Sequence, residues 1–269
     1  MEDFFEGIEQ VEARFNGGVG EMPVFWRDSR AFGAILPASW LKLKRVLPDA
    51  RMAPAQIFPG IGGVVLAAYE YADSSIGPYN EFSVGILLNS PLHIGVPGYN
   101  LLRQYLDGFL CAYIYHLPVT TEVAPRAGKD YYGFPKFVAD IDFSDTHDSI
   151  RCDLSHDGER IITMSGRKLP GRNMGEMTIM GNLYQYRTPQ YAEIKADVIE
   201  GAIAPGPGNF DYEVFRSHPV GRDTAELILA PRAIGYLYIS KLQAVLYGPE
   251  RLQPPLLKHV LATAKVLPG

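Results

Sequence analysis

Apolar residues in this chain gather in many short runs, and Gly, Pro, Asn and Asp break one run from the next. Few stretches hold a 3.6-residue period for long. Residues 61–71 are apolar and β-branched, and 81–88 alternate loosely beyond the Gly77-Pro78 turn signal. Residues 24–36 read as one strand or two, and 109–119 as another. The second half predicts strand after strand, at 138–144, 149–155, 160–166, 175–186, 190–203 and 234–247. Asp157-Gly158 marks a hairpin turn between two of them.

Helical patterns are shorter. An amphipathic helix is predicted over 3–15, ended by Gly17-Gly18. Pro37-Ala38-Ser39-Trp40 opens a second, which runs to about Val46 and is closed by Pro48. Residues 98–107, part of 120–131, 224–229 and 254–266 also read as helical.

Long strands without regular helical crossovers argue for pairing that is mostly antiparallel. The expected fold is β-rich (α+β), a mostly antiparallel sheet curled into a barrel with peripheral helices, a sandwich being the alternative. The counts of 27 Gly, 21 Pro and 16 Tyr fit so many turns and strands. No repeat or long linker divides the chain, and the 204–208 loop is too short to separate domains. One domain over 1–269 is expected.

Charge narrows the partners. The formal net charge is −5 and no Lys/Arg cluster forms a phosphate-tracking stripe, so nucleic acid is not expected as a partner. No apolar run approaches the ~18 residues of a membrane-spanning helix, so no membrane partner is expected either. Residues 1–6 are acidic where a secretory leader would be basic, and Cys111 and Cys152 read as reduced thiols. A cytoplasmic location is the expectation. Gly60-Ile61-Gly62-Gly63 has no helix pattern after it, Ala127-Gly128-Lys129-Asp130 lacks the spacing of a phosphate loop, and no Gly-x-Ser-x-Gly elbow is present. The six histidines are dispersed, and no spacing of His, Cys, Asp or Glu points to a metal.

One lysine stands out. Lys136 follows Tyr131-Tyr132-Gly133-Phe134-Pro135 and precedes Phe137-Val138-Ala139, the least polar setting of any lysine in the chain. An unpaired ammonium is costly to bury, so an apolar site favours the neutral amine, which is a nucleophile towards carbonyl carbon. The bland alternative is a lysine that snorkels to water from a barrel surface.

The run from Thr121 to Lys136, with Gly128-Lys129-Asp130 and then Phe134-Pro135-Lys136, resembles the signature of the acetoacetate decarboxylase superfamily. The resemblance implies that Lys136 forms a Schiff base. It maps Glu81, in Ile76-Gly77-Pro78-Tyr79-Asn80-Glu81, onto a pocket acid, and Arg30 or Arg27 onto an arginine that reaches the substrate. Tyr113, Tyr115 and Phe134 are expected as pocket walls. Two positions depart from acetoacetate decarboxylase proper: Phe137 stands where a second lysine follows the first, and Leu66 where a second glutamate is expected. In extended backbone residue 137 faces away from the pocket of residue 136. A carboxylate beside the amine would oppose its activation, so Glu81 is expected to lie apart from Lys136 or to be protonated by burial.

The implied activity is that of a Schiff-base lyase that decarboxylates a β-keto acid without a cofactor. An aldolase-dehydratase on the same lysine and a non-catalytic ligand-binding barrel are the alternatives. A small-molecule keto acid is the expected partner, and the resemblance together with the 254–266 tail helix implies a homo-oligomer.

Overall fold

A computed structural model describes residues 4–15, 18–121 and 133–251. Strands β1 (Val11–Phe15) and β2 (Gly18–Met22) pair as an antiparallel ribbon. The predicted helix over 3–15 is therefore corrected. Val11-Glu12-Ala13-Arg14-Phe15 alternates with a period of two, and a partner strand captures that pattern better than a helix can. β3 (Val24–Ser39) is one long strand that runs into α1 (Trp40–Val46), where the Pro37–Pro48 signals place a helix. β4 (Gln56–Phe58), β5 (Ile61–Ser74), β6 (Tyr79–Leu87), α2 (Tyr99–Leu106) and β7 (Phe109–Val119) follow.

Then come β8 (Lys136–Val138), β9 (Asp140–Asp145), β10 (Ser149–His156), β11 (Glu159–Arg167), β12 (Gly175–Gln185) and β13 (Thr188–Pro205). The chain continues through β14 (Phe210–Val214), α3 (Pro219–Leu227), β15 (Gly235–Leu246) and β16 (Glu250–Arg251). Asp157 and Gly158 both take positive φ, 50° and 78°, as a primed hairpin turn requires. α3 starts five residues before the predicted 224, because Pro219 fits the first helical turn and the His218 ring accepts the Val220 N–H. The helices expected within 120–131 and over 254–266 fall mostly or wholly outside the described residues.

Seven strands close a barrel in the order β12-β13-β15-β3-β5-β6-β7. All neighbours are antiparallel except at the seam, where Phe109–Tyr113 of β7 run parallel to Thr178–Asn182 of β12. Further along the same edge of β7, Leu117–Val119 run parallel to Lys136–Val138. One edge of β7 thus serves two strands in succession, and the second carries the lysine.

A four-stranded antiparallel sheet, β14-β11-β10-β9, packs on the outside. Its Ile141, Ile150, Leu154, Ile162 and Met164 share a core with Phe32, Leu36, Leu66, Phe82 and Val84 of β3, β5 and β6. A second core takes Ala31, Tyr71, Tyr79, Leu117, Leu183, Ala196 and Ile239, at least one from every ring strand and none from the outer sheet. That second core is the barrel interior. Period-two alternation sends successive residues of each ring strand to one core or the other.

Cys111 and Cys152 are both free and buried. No helix among the described residues is long and apolar enough to cross a membrane.

α3 packs against β11 and β14. A Cβ on Gly221 would sit 1.9 Å from the Phe215 carbonyl oxygen. Gly221→Ala is expected to lower stability by about 1–3 kcal/mol, read by denaturant unfolding. Below the helix, on the outward side of β7, His116 lies 3.8 Å from Asp223. Burial holds its pKa down at about 4 despite Asp223, and nearby His218 adds to the depression. The unfolded chain binds this proton more tightly than the folded one, so the contribution is whole above about pH 6.5 and is lost as pH falls towards about 4. The loss amounts to roughly 3 kcal/mol at most. Urea unfolding at pH 7 and pH 4.5 should show a smaller difference for His116→Gln than for the parent protein.

Candidate active site

Gly133-Phe134-Pro135 delivers Lys136 to the barrel. Gly133 has φ of 73°, and a Cβ there would press on Gln185 at 2.7–2.9 Å. The Lys136 N–H donates to the Phe134 carbonyl at 2.8 Å, a tight bend just before β8. Lys136 is in register with inward-facing Leu117, and Phe137 with Pro118. The lysine side chain therefore enters the barrel. Phe137 turns outward, with ring centroids 5.5 Å from His156 and 6.2 Å from His218.

Inside, Lys136 Nζ lies 2.6 Å from Glu81 Oε2, and the two residues are only 5% and 6% exposed. Glu81 comes from β6, in register with Val119 of β7, so adjacent strands bring the two side chains to one spot. The Tyr71 hydroxyl donates to Glu81 Oε1 at 3.3 Å. Nζ also faces the rings of Tyr79 and Phe134, at 5.6 and 5.9 Å from their centroids.

Aromatic stacking holds the wall. Tyr71 packs between Trp26 and Tyr79, at 4.8 and 4.7 Å between centroids, and the Trp26 indole N–H donates to the Tyr79 oxygen at 3.0 Å. Burial first, and the Glu81 charge second, push the Tyr71 phenol well above its ordinary pKa, so it stays a donor. Tyr69 beside it is pushed up to about 12 by burial, although Ser83 hydrogen-bonds to it. A cleft of about 460 Å³, lined by Tyr71, Tyr79, Asn80, Thr120, Val138 and Asp142 among others, shares two of these tyrosines. Among the described residues no group of three or more His, Cys, Asp or Glu side chains is set to hold a metal ion.

Of the residues expected from sequence, Lys136, Glu81 and Phe134 come together. Of the two arrangements expected for Glu81, apart from the amine or protonated beside it, the 2.6 Å contact removes the first. An ammonium and a carboxylate buried singly cost more than the two buried in contact.

Arg30 lies elsewhere, hydrogen-bonded to Glu70 and 2.9 Å from Asp145 of the outer sheet, over the Phe143 ring. Burial works against its charge, but the hydrogen bonds to Asp145 and Glu70 outweigh it and raise its pKa. Arg27 is at the surface, 3.6 Å from Asp73. Alternation counted back from inward Ala31 would send residues 29 and 27 inward. A bulge between Trp26 and Ser29 instead turns Trp26 in and leaves Arg27 out.

Tyr113 and Tyr115 pack on the outer core, Tyr113 in register with Ile86 and Tyr115 against His116, a ring distance of 4.3 Å. Burial raises both phenols, that of Tyr115 to about 12. Leu66 is also an outer-core residue, and the β5 side chain beside Glu81 is Tyr69.

Sequence reasoning missed Trp26, Ser29, Tyr69, Tyr71 and Tyr79. A signal was present for three of them: tyrosines at 69 and 71, spaced to share a strand face, stand across the Gly77-Pro78 turn from Glu81 and Tyr79. The register Tyr69↔Glu81 and Tyr71↔Tyr79 joins them.

The closed β-barrel thus holds one amine against one carboxylate and a wall of rings, both side chains out of bulk water. The acetoacetate decarboxylase (ADC) family model matches residues 14–187, more than half of the chain, and the chain belongs to that family. Solved structures share the fold, among them the following three. The acetoacetate decarboxylase of Legionella pneumophila is 12% identical, with a TM-score of 0.58 over 86% of this chain and 87% of its own. The enduracididine biosynthesis enzyme MppR, complexed with the condensation product of pyruvate and imidazole 4-carboxaldehyde, is 12% identical, with a TM-score of 0.60 over 87% and 90%. An acetoacetate decarboxylase-like enzyme from Sphingomonas wittichii RW1 is 13% identical, with a TM-score of 0.54 over 86% and 93%. No curated protein matches the chain.

Breaking the pair on one side strands a buried charge. Lys136→Met and Glu81→Leu are each expected to cost about 3–5 kcal/mol, and the double variant much less than their sum. Denaturant unfolding of the four proteins measures the coupling.

Proposed function

We propose that this protein is a lyase that forms an imine between Lys136 and a small carbonyl substrate, and that it releases CO2 from a β-keto acid. The observation that carries the reading is the 2.6 Å contact between Lys136 Nζ and Glu81 Oε2 out of water. Transfer of one proton along that contact turns ammonium and carboxylate into amine and carboxylic acid. A dry site lowers the cost of that exchange, because both charges vanish together.

The amine then adds to the ketone carbon. Glu81 returns its proton to the carbinolamine oxygen, water departs, and a protonated imine remains beside the carboxylate. The C–C bond to the substrate carboxylate breaks next, CO2 leaves, and its electron pair flows into the iminium to make an enamine. Protonation at carbon and hydrolysis release the ketone and restore the lysine. Tyr71 donates to Glu81 when the acid is ionised and holds it towards Nζ. Family membership supports an enzyme with a small-molecule substrate.

A second reading has a specific observation behind it. The inward side chains of β3 near the site are Trp26, Ser29 and Ala31, and neither Arg27 nor Arg30 is among them. A carboxylate is then not gripped from this strand, and the same imine would serve condensation with an aldehyde followed by loss of water. MppR holds such a condensation product on the same fold.

Borohydride reduction in the presence of acetoacetate, read by mass spectrometry, is expected to leave an adduct on Lys136. Lys136→Arg should form no adduct and should lose activity by a factor of about 10³ or more. CO2 release from acetoacetate points to decarboxylation, and consumption of pyruvate with an aldehyde points to the second reading. An unmodified protein that still binds its keto acid would make this a binding barrel.

A further inference from the structure

The Ser29 hydroxyl is the polar group on the barrel wall that neither the pair nor its supports explain. Ser29 is 2% exposed, and its Oγ is buried with no hydrogen-bond partner. It lies between Tyr71 on β5 and Leu242 on β15, both members of the interior core. Register irregularities flank it on both sides: between Trp26 and Ser29 against β5, and between Ile239 and Ala244 against β15. Bulges of this kind re-aim side chains and recur beside active sites. A buried hydroxyl left unpaired costs stability, and alanine at the same place would not. The neighbour across the strand is Tyr71, which reaches Glu81, which in turn touches Lys136.

From this geometry we infer that Ser29 is a specificity-determining residue: its hydroxyl binds an uncharged oxygen, hydroxyl or carbonyl, that the substrate carries beyond its reacting carbonyl. The oxygen is uncharged because the inward groups around Ser29 are neutral, Trp26, Tyr71 and Leu242, while Arg27 and Arg30 pair with Asp73, Glu70 and Asp145 elsewhere. The carboxylate that leaves as CO2 is a different group and needs no grip from this wall. The inference deepens the imine reading and rests on it for the substrate class.

The test uses two probes that differ by one oxygen, butan-2-one and 4-hydroxybutan-2-one, on the parent protein and on Ser29→Ala. Each titration is followed by ligand-induced thermal shift and by the yield of borohydride-trapped adduct on Lys136. The parent should saturate at a roughly five- to tenfold lower concentration of the hydroxylated probe, the worth of one neutral hydrogen bond. In Ser29→Ala that ratio should fall to about one. The ligand-free variant should melt at the same temperature as the parent or higher, because an unpaired hydroxyl has been removed.

A parent that does not distinguish the probes, a ratio unchanged in the variant, or a ligand-free variant that melts lower would each overturn the assignment. Adducts that form on Lys136 with an unchanged ratio refute Ser29 alone and leave the imine reading intact. Discrimination by thermal shift that is lost in the variant, with no adduct from either probe, refutes the imine reading and upholds Ser29 as a ligand contact.

Discussion

The Lys136 amine and the Glu81 carboxyl group share the barrel interior at 2.6 Å, and the surrounding wall bears on the cost of keeping any charge there. Each charge alone would face a large desolvation penalty, and their attraction offsets it only if the remaining donors and acceptors are also served. Tyr71 serves the second carboxylate oxygen, while the faces of Tyr79 and Phe134 meet the ammonium. Tyr71 and Tyr79 are held in turn by Trp26, through a stack on the first and a hydrogen bond to the second. A well-packed set of leucines in the same volume would be at least as stable. Stability alone therefore does not account for the pair, which is why the proposed imine chemistry is assigned to it.

Barrel closure is what makes this interior possible. The seam strand β7 pairs with β12 over its first half and with β8 over its last three residues. A three-residue strand has little stability of its own, and its position is imposed by β7. Register with Leu117 sends Lys136 inward, and the next residue must then face outward, where Phe137 meets two histidine rings. The buried lysine and its outer anchor are consecutive residues, so a slip of one position would exchange them.

Much of the strand order was legible. Turn signals at Gly77-Pro78 and Asp157-Gly158, a helix bracketed by Pro37 and Pro48, and the apolar run at 109–119 all lie where pattern reading puts them. The stretch 11–15 was misread because a short alternating segment fits helix and strand templates alike until a partner decides. Lys136, Glu81 and Phe134 were legible from their local motifs. The arginines and Tyr113 and Tyr115 were not, since their facing depends on bulges in β3 and β7 that a one-dimensional pattern does not display.

The chain by itself determined its class of fold and singled out Lys136, because turn chemistry, period-two runs and the setting of Lys136 are local properties of neighbouring residues. Only the tertiary structure decided what that amine meets. Contact with Glu81, the tyrosine wall and the inward turn of Ser29 all depend on strand register across a closed ring, and each bulge changes which face a side chain occupies. Parity along a strand is set by hydrogen-bonded partners far away in sequence, and no single segment carries that information.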